Sequence, residues 1–306
     1  MKDSVIKRFL VNNYELFIEV RRIFYLRIRY RLRIMTPDQT IAYIEKQHCS
    51  IARFGDGEFD HILNLKDEGF QTRSTDLIQA LKGVLQNRNP ELLLCIPRCM
   101  NTIKDCNEHA GTFWIEWGKN SHHEQIVDMI RSFTGNKYRF GDAQITRPYI
   151  DWNTDKRARR LFPKLKHFWE NKEIILVEGE QTRMGVGNDL FDNAASVKRI
   201  LCPAVNAYEY CSDIQKEILT WYRGELILMA LGPTATVLAS ALANMGIQAL
   251  DIGNLDIEYE WFLRGAKERI PIPGKYTNEA KDGIGRIYSE CKDGLYLNQV
   301  IARIGC

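Results

Sequence analysis

"ELILMALGPTATVLASALANMGIQALDIG", residues 225–253, decides how the chain folds. Its stretch 226–247 holds no charged residue and is long enough to span a bilayer. Gly232-Pro233 near its start, with Thr, Ser and Asn spread through the rest, favours a buried strand, a turn and a helix instead. A further strand follows toward Asp251. Strands that are apolar on every residue are covered on both faces, so this unit predicts a parallel sheet with helices on both sides.

The same pattern extends outward. "EIILVEGEQTRMGVGNDLFDNA" (173–194) reads as a strand, a glycine-containing loop and a helix, and "VKRILCP" (197–203) as another strand. Towards the N-terminus, "TPDQTIAYIEKQHC" (36–49) predicts a helix capped by Thr36 with Pro37 in its first turn. "SIARFGD" (50–56) is a strand running into a loop, "STDLIQALKGVLQN" (74–87) an amphipathic helix, and "ELLLCIP" (91–97) a short buried strand. Residues 100–165, rich in Trp, His and Arg, resist assignment. The fold class is α/β, Rossmann-like, with a mostly parallel sheet.

The 306 residues are 45% hydrophobic and 26% charged, ordinary values for a soluble globular chain. The net charge of +3 is unevenly distributed: residues 1–35 carry nine Lys/Arg against three Asp/Glu, so the rest is mildly acidic. Overall charge therefore does not argue for nucleic acid. In the arm, Ile6, Leu10, Asn13, Phe17, Val20 and Phe24 share one helical face, and "RRIFYLRIRYRLR" (21–33) follows. Arginine stems lying along apolar side chains suit an anionic membrane surface, while a helix packed on the body or pairing two subunits is the plainer alternative. The domain reading is a basic amphipathic arm, 1–35, and one domain, 36–306. Eight cysteines without a CxxC pair, and no signal peptide, point to reduced thiols and a cytoplasmic location, peripheral on the inner membrane face if the arm binds lipid. Cys95, Cys99, Cys106 and His109 match no common zinc-finger spacing.

Several segments carry chemistry. Asp56 and Glu58 in "SIARFGDGEFDHIL" (50–63) are read as residues i and i+2 at a strand end, where they would point the same way and share one divalent cation; an ordinary polar turn is the alternative. In "GEQTRMGVGND" (179–189), Gly185 and Gly187 allow close approach of a phosphate, Arg183 offers a fork, and a following helix would add its N-terminus. "LGPTAT" (231–236) repeats that geometry. "DIGNLDIEYEWF" (251–262) interleaves Asp256, Glu258 and Glu260 with apolar residues that can raise a carboxyl toward general-base duty, although capping or ion pairing fits each equally well. "YRFGDAQITRPYIDW" (138–152) adds Asp142, Arg147 and Asp151 as further cleft candidates.

Taken in order, "ARFGDGEF", "RFGDAQITRPYID", "VEGEQTRMGVGNDLFDNA", "LGPTATVLA" and "DIGNLDIEYEWF" resemble the bacterial GT-D-fold glycosyltransferases, first catalogued as a domain of unknown function, over residues 36–280 or so. The resemblance implies transfer of a sugar, with glucose the plausible one, from a UDP-sugar. It implies Mn²⁺ or Mg²⁺ on Asp56 and Glu58, and no organic cofactor. Nucleotide-sugar contacts would fall on Arg53, Phe54 and Gly55, on Arg183, Gly185, Gly187 and Asn188, and on Pro233 and Thr234. Asn254 stands where relatives often carry a His, leaving the acceptor's proton to Glu260 first, or to Asp256 or Glu258. The acceptor would be a surface glycan, lipid-linked sugar or glycoprotein, and a homo-oligomer is compatible. The rival readings are another metal-dependent nucleotide enzyme, such as a phosphotransferase or sugar-nucleotide hydrolase, and a non-catalytic subunit that recruits a partner through the arm.

Overall fold

The computed structural model describes residues 30–63, 69–119, 122–277, 279–280 and 290–305. The predicted arm helix falls on residues 1–29 and lies outside the described residues.

Among the described residues, nine strands form one sheet: β1 (Arg33–Ile34), β2 (Ser50–Arg53), β3 (Leu92–Ile96), β4 (Arg139–Asp142), β5 (Glu173–Gly179), β6 (Ser196–Cys202), β7 (Leu226–Ala230), β8 (Ala249–Asp251) and β9 (Val300–Arg303). Their order is β1-β4-β3-β2-β8-β7-β5-β6-β9, and each neighbouring pair is parallel. β2, β3 and β4 run outward from the middle. β5 and β6 occupy the other half, and β7 and β8 return to meet β2, where Ile51 lies opposite Leu250. This reversal is a topological switch point, the place where open α/β sheets bind ligands beyond their strand ends.

Strand alternation divides the core into two layers. Leu92, Leu94 and Ile96 face one side with Ile227 and Met229, under helices that include Thr75–Gln86 and Pro233–Ala243. Leu93 and Cys95 face the other with Leu226 and Leu228, under the helices Pro37–Gln47 and Lys156–Lys166. The stretch 226–247 is therefore strand, turn and helix as its polar punctuation predicts. Thr36 caps its helix through a reciprocal box with Gln39. The sheet also begins before residue 36: Arg33 and Ile34 pair with β4, and Leu32 and Met35 are buried.

Three local expectations are corrected. Asp56 opens the helix Asp56–Leu63 instead of closing a strand. No helix follows the 179–189 loop, which passes through turns directly into β6. The acids after β8 lie on the helix Leu255–Leu263. In each case the chain turns soon after a strand, and a polar stretch with glycines reads alike as loop or first helical turn.

The sheet is tight where β4 meets β3. A Cβ on Gly141 would sit 2.4 Å from Cys95 Sγ and 2.9 Å from Leu93 Cδ2. Gly141→Val should lower the unfolding free energy by about 1–3 kcal/mol through overpacking, read as a lower urea midpoint; an unchanged midpoint would mean that the Cys95 and Leu93 side chains yield freely.

Candidate active site

The carboxyl ends of the central strands surround a cleft of about 490 Å³. Arg53, Gly55, Asp56 and Glu58 line it from the end of β2, and Gly253, Asn254 and Asp256 from the end of β8. Arg53 joins these two strands. Its Nε donates to the Asp251 carbonyl at 2.9 Å, its Nη2 to Asp251 Oδ1 at 2.9 Å, and its Nη1 to Thr146 Oγ1 at 2.7 Å. Gly253, with φ +45°, admits the guanidinium: a Cβ there would lie 1.9 Å from Arg53 Nη2.

Asp56 and Glu58 both line this wall, but from the first turn of a helix, where the i, i+2 spacing does not point them the same way as a strand end would. Glu58 folds back so that Gly55 N–H donates to its Oε2 at 2.6 Å. Burial pushes the Glu58 carboxyl up to about 7; the Gly55 hydrogen bond opposes this, and the nearby Asp251 charge adds to it. Two hard oxygen donors beside a third acid suit a divalent cation, which would relieve that repulsion. Among the described residues no group of three or more His, Cys, Asp or Glu could hold an ion. A cation here would take its other ligands from a diphosphate and water, as Mg²⁺ and Mn²⁺ commonly do.

The three acids of 256–260 divide by helical spacing. Asp256 and Glu260, four residues apart, share one face; Glu258 points elsewhere. Asp256 lines the cleft and accepts from Gly185 N–H at 2.8 Å, Asn188 Nδ2 at 2.9 Å and Lys275 Nζ at 2.7 Å. Glu260 is not on the cleft wall. Burial alone would raise its carboxyl, but Asn188 Nδ2 at 2.7 Å, Lys275 Nζ at 3.1 Å and Arg264 hold it below its ordinary value. Its place off the cleft wall weighs against Glu260 as the base. Glu258 is fully buried and also off the wall. Its Oε2 accepts from the Tyr149 and Ile150 N–H groups at 2.9 and 3.0 Å, while its Oε1 has no hydrogen-bond partner and lies 3.9 Å from Arg147 Nε.

The remaining predicted contacts divide as well. Phe54 is a core residue stacked on Phe59. Arg183, Gly185, Gly187 and Asn188 are absent from the cleft lining, whereas Gly179 and Thr182 of the same loop belong to it. Arg183 Nη1 donates to the Gly274 carbonyl at 3.0 Å. The loop does present N–H groups to anions, but these are the chain's own carboxylates: Gly185 N–H donates to Asp256 and Met184 N–H to Glu178 at 2.7 Å. Pro233 and Thr234 lie just behind the wall formed by Leu231 and Gly232, and the Thr234 hydroxyl is buried without a partner. Phe70 rests against Gly232, where a Cβ would meet its ring at 2.3 Å.

Sequence reasoning missed much of the opposite wall. Arg147 Nη1 and Nη2 each donate to the Glu279 carboxylate at 2.6 Å. Asn254 Nδ2 donates to Glu279 Oε1 at 2.7 Å, and Arg269 Nε lies 3.4 Å from Oε2. Burial would raise Glu279, yet the Arg147 charge and hydrogen bonds, then Arg269 and Asn254, hold it at about 2. Arg147, beside Pro148, was visible as a candidate. Lys275 and Glu279 follow no periodic pattern that would have marked them.

Burial also raises Glu258 to about 7, opposed by Arg147. An acid raised on folding stabilises fully below its ordinary value, and that stability is lost as pH rises through about 7. Glu258→Gln should therefore gain on wild type between about pH 5 and about pH 8, by on the order of 1–3 kcal/mol in chemical unfolding; a pH-independent difference would assign the raised titration elsewhere.

The family model described as "Glycosyltransferase GT-D fold" matches residues 51–280. "Glycosyltransferase GlyD" of Streptococcus pneumoniae serotype 4 is 35% identical over 274 residues, 89% of this chain and 33% of that protein. "Probable glycosyl transferase Gly" of Streptococcus gordonii is 34% identical over 275 residues, 90% of this chain and 39% of that one. The chain thus spans between a third and two-fifths of the length of the curated relatives it matches. Among solved structures, one described as "The highly conserved domain of unknown function 1792 has a distinct glycosyltransferase fold" superposes with a TM-score of 0.83 at 33% identity, covering 94% of this chain and all of that one. "A New Glycosyltransferase (DUF1792) from Streptococcus sanguinis" gives 0.80 at 31%, covering 90% of this chain and all of that one. The sheet order, the cleft at its switch point and these matches together make the chain a member of the GT-D-fold glycosyltransferase family.

Proposed function

We propose that this chain transfers a hexose, glucose the first candidate, from a UDP-sugar to a bacterial surface glycan, lipid-linked sugar or glycoprotein, with Mn²⁺ or Mg²⁺ on Asp56 and Glu58. The observation that carries this is the pair of carboxylates on the cleft wall where β2 meets β8. When bound, the cation supplies Lewis-acid stabilisation of the charge that grows on the departing diphosphate. The chain's own groups do the rest. Glu58, tied to Gly55, keeps its carboxylate turned to the wall, and Arg53 fixes the strand end beneath it. Asp256 is the acid of the 256–260 group that faces the cleft, so we assign it the acceptor's proton in an inverting transfer. Glu260 and Asn188 hold the Lys275–Asp256 pair in register. Glu258 holds the 149–150 backbone and with it the course of the Arg147 loop.

Incubation with a panel of UDP-sugars, with and without Mn²⁺, should release UDP from one donor. Asp56→Asn and Glu58→Gln should each cut the metal-stimulated rate by roughly 100-fold or more while leaving thermal unfolding near wild type. Full activity in both variants sinks the metal assignment, release of orthophosphate favours a hydrolase, and no turnover of any donor with lysate acceptors favours a non-catalytic subunit.

No helix among the described residues is long and apolar enough to cross a membrane. We assign residues 1–29, the part of the basic arm that precedes the sheet, to the surface of an anionic membrane, bringing the cleft to lipid-linked acceptors. Removing these residues should abolish co-sedimentation with anionic liposomes at low salt; unchanged binding would mean that the arm packs on protein instead.

A further inference from the structure

We propose that Arg147, Arg269 and Asn254 form a recognition site for a substrate phosphate group, and that Glu279 occupies it as an internal ligand which that phosphate displaces.

All four residues line the cleft. The Arg147–Glu279 pair has the two-pronged geometry, 2.6 Å on each prong, by which guanidinium binds carboxylate and phosphate alike. Asn254 Nδ2 and Arg269 Nε complete a ring of donors around one carboxylate. The clasp faces open space: the Arg147 and Glu279 side chains are 22% and 23% exposed, so a solute reaches them.

The site would outlast the departure of Glu279, because the donors are held from behind. Asp151 Oδ1 binds Arg269 Nη2 at 2.7 Å, and its Oδ2 lies 3.4 Å from Arg147 Nε. Glu258, anchored to the 149–150 backbone, lies 3.9 Å from the same Nε. With Glu279 withdrawn, two guanidiniums and an amide still converge on the vacated position. A tetrahedral phosphate has the oxygens to use all three and carries more charge than the carboxylate it would replace.

An internal competitor weakens apparent affinity in proportion to the fraction of molecules whose site is open. Calorimetric titration of the full chain in EDTA isolates this effect from the Asp56–Glu58 cation. Two probes separate the sources of the phosphate: UDP for the donor, and glycerol 3-phosphate for a phosphorylated acceptor. In Glu279→Gln, which removes the charge and keeps the shape, at least one probe should bind about tenfold tighter. Glu279→Asp, with a shorter reach, should shift the same probe in the same direction and serves if the glutamine variant does not fold. Adding Arg147→Lys to either variant should remove the gain, since lysine offers no fork. Tightening of UDP assigns the site to the donor, and tightening of glycerol 3-phosphate to the acceptor. Unchanged or weaker binding of both probes to a folded variant overturns the proposal and makes Glu279 a structural clasp. The inference rests on the proposed function only for the origin of the phosphate. These titrations need no turnover, so a panel without UDP release would defeat that reading and leave this one standing.

Discussion

The contact between Arg53 and Asp251 is where the two halves of the sheet become one. β2 and β8 face each other through the single registered pair Ile51 and Leu250, and at the far end Ser50 Oγ donates to the Ile247 carbonyl and accepts from Ala249 N–H. The Arg53 guanidinium spans the junction by binding both the carbonyl and the carboxylate of Asp251, and it reaches on to Thr146 beyond β4. From the other side, Thr236 Oγ1 donates to the Arg53 carbonyl at 2.7 Å. Burial raises the Asp251 carboxyl, and the charge and hydrogen bonds of Arg53 oppose that rise, so the pair is mutually dependent. Removing Arg53 would leave the Asp251 carboxylate buried without its cation, the costly way to break such a contact. Asp56 leaves the sheet three residues after Arg53, and Asn254 three residues after Asp251, so this clasp sets the spacing of the cleft walls.

What the sequence made legible follows from how local each signal is. The strands β3 and β7 are apolar on every residue and β5 over Ile174–Val177, and that burial on two faces is written in four or five consecutive letters. The helix Pro37–Gln47 is announced by its own cap. The stretches 56–58 and 256–260 were harder, because a few polar residues after a strand look the same as a strand end or as a first helical turn. The difference matters chemically. On a strand, Asp256, Glu258 and Glu260 would share one side. On a helix, Glu258 turns away from the other two, and it did: it is fully buried against the 149–150 backbone, while Asp256 lines the cleft.

The loop 179–189 illustrates the other kind of limit. Glycines at positive φ, here Gly185 at +75° and Gly187 at +78°, are needed wherever backbone N–H groups gather around an anion. The sequence shows that requirement but not which anion meets it. Here the Gly185 N–H is given to Asp256, a residue 71 positions away. Lys275 and Glu279 are invisible for the same reason. Their roles depend on the tract after residue 264 folding back across the sheet, held by Trp261 Nε1 donating to the Ile270 carbonyl at 2.9 Å, and a lone lysine in a proline-flanked loop carries no periodicity.

That returning tract links the two walls of the cleft. Lys275 Nζ sits 2.7 Å from Asp256 and 3.1 Å from Glu260, neutralising the acids on one side, and Glu279 covers Arg147 on the other. Both oxygens of Asp256 are engaged, Oδ1 by Gly185 N–H and Asn188 Nδ2 and Oδ2 by Lys275 Nζ, so in the proposed transfer Asp256 frees an oxygen when Lys275 draws back. Arg147 meets a new anion only when Glu279 yields. Both changes concern groups four residues apart on one short piece of chain, and Tyr276 N–H, between them, donates to the Gln181 carbonyl of the Asp256-binding loop at 2.8 Å. A ligand that displaces Glu279 therefore pulls on the segment that holds the acid. In the proposed function, occupancy of the cleft and the freedom of the Asp256 carboxylate would be linked through this tract.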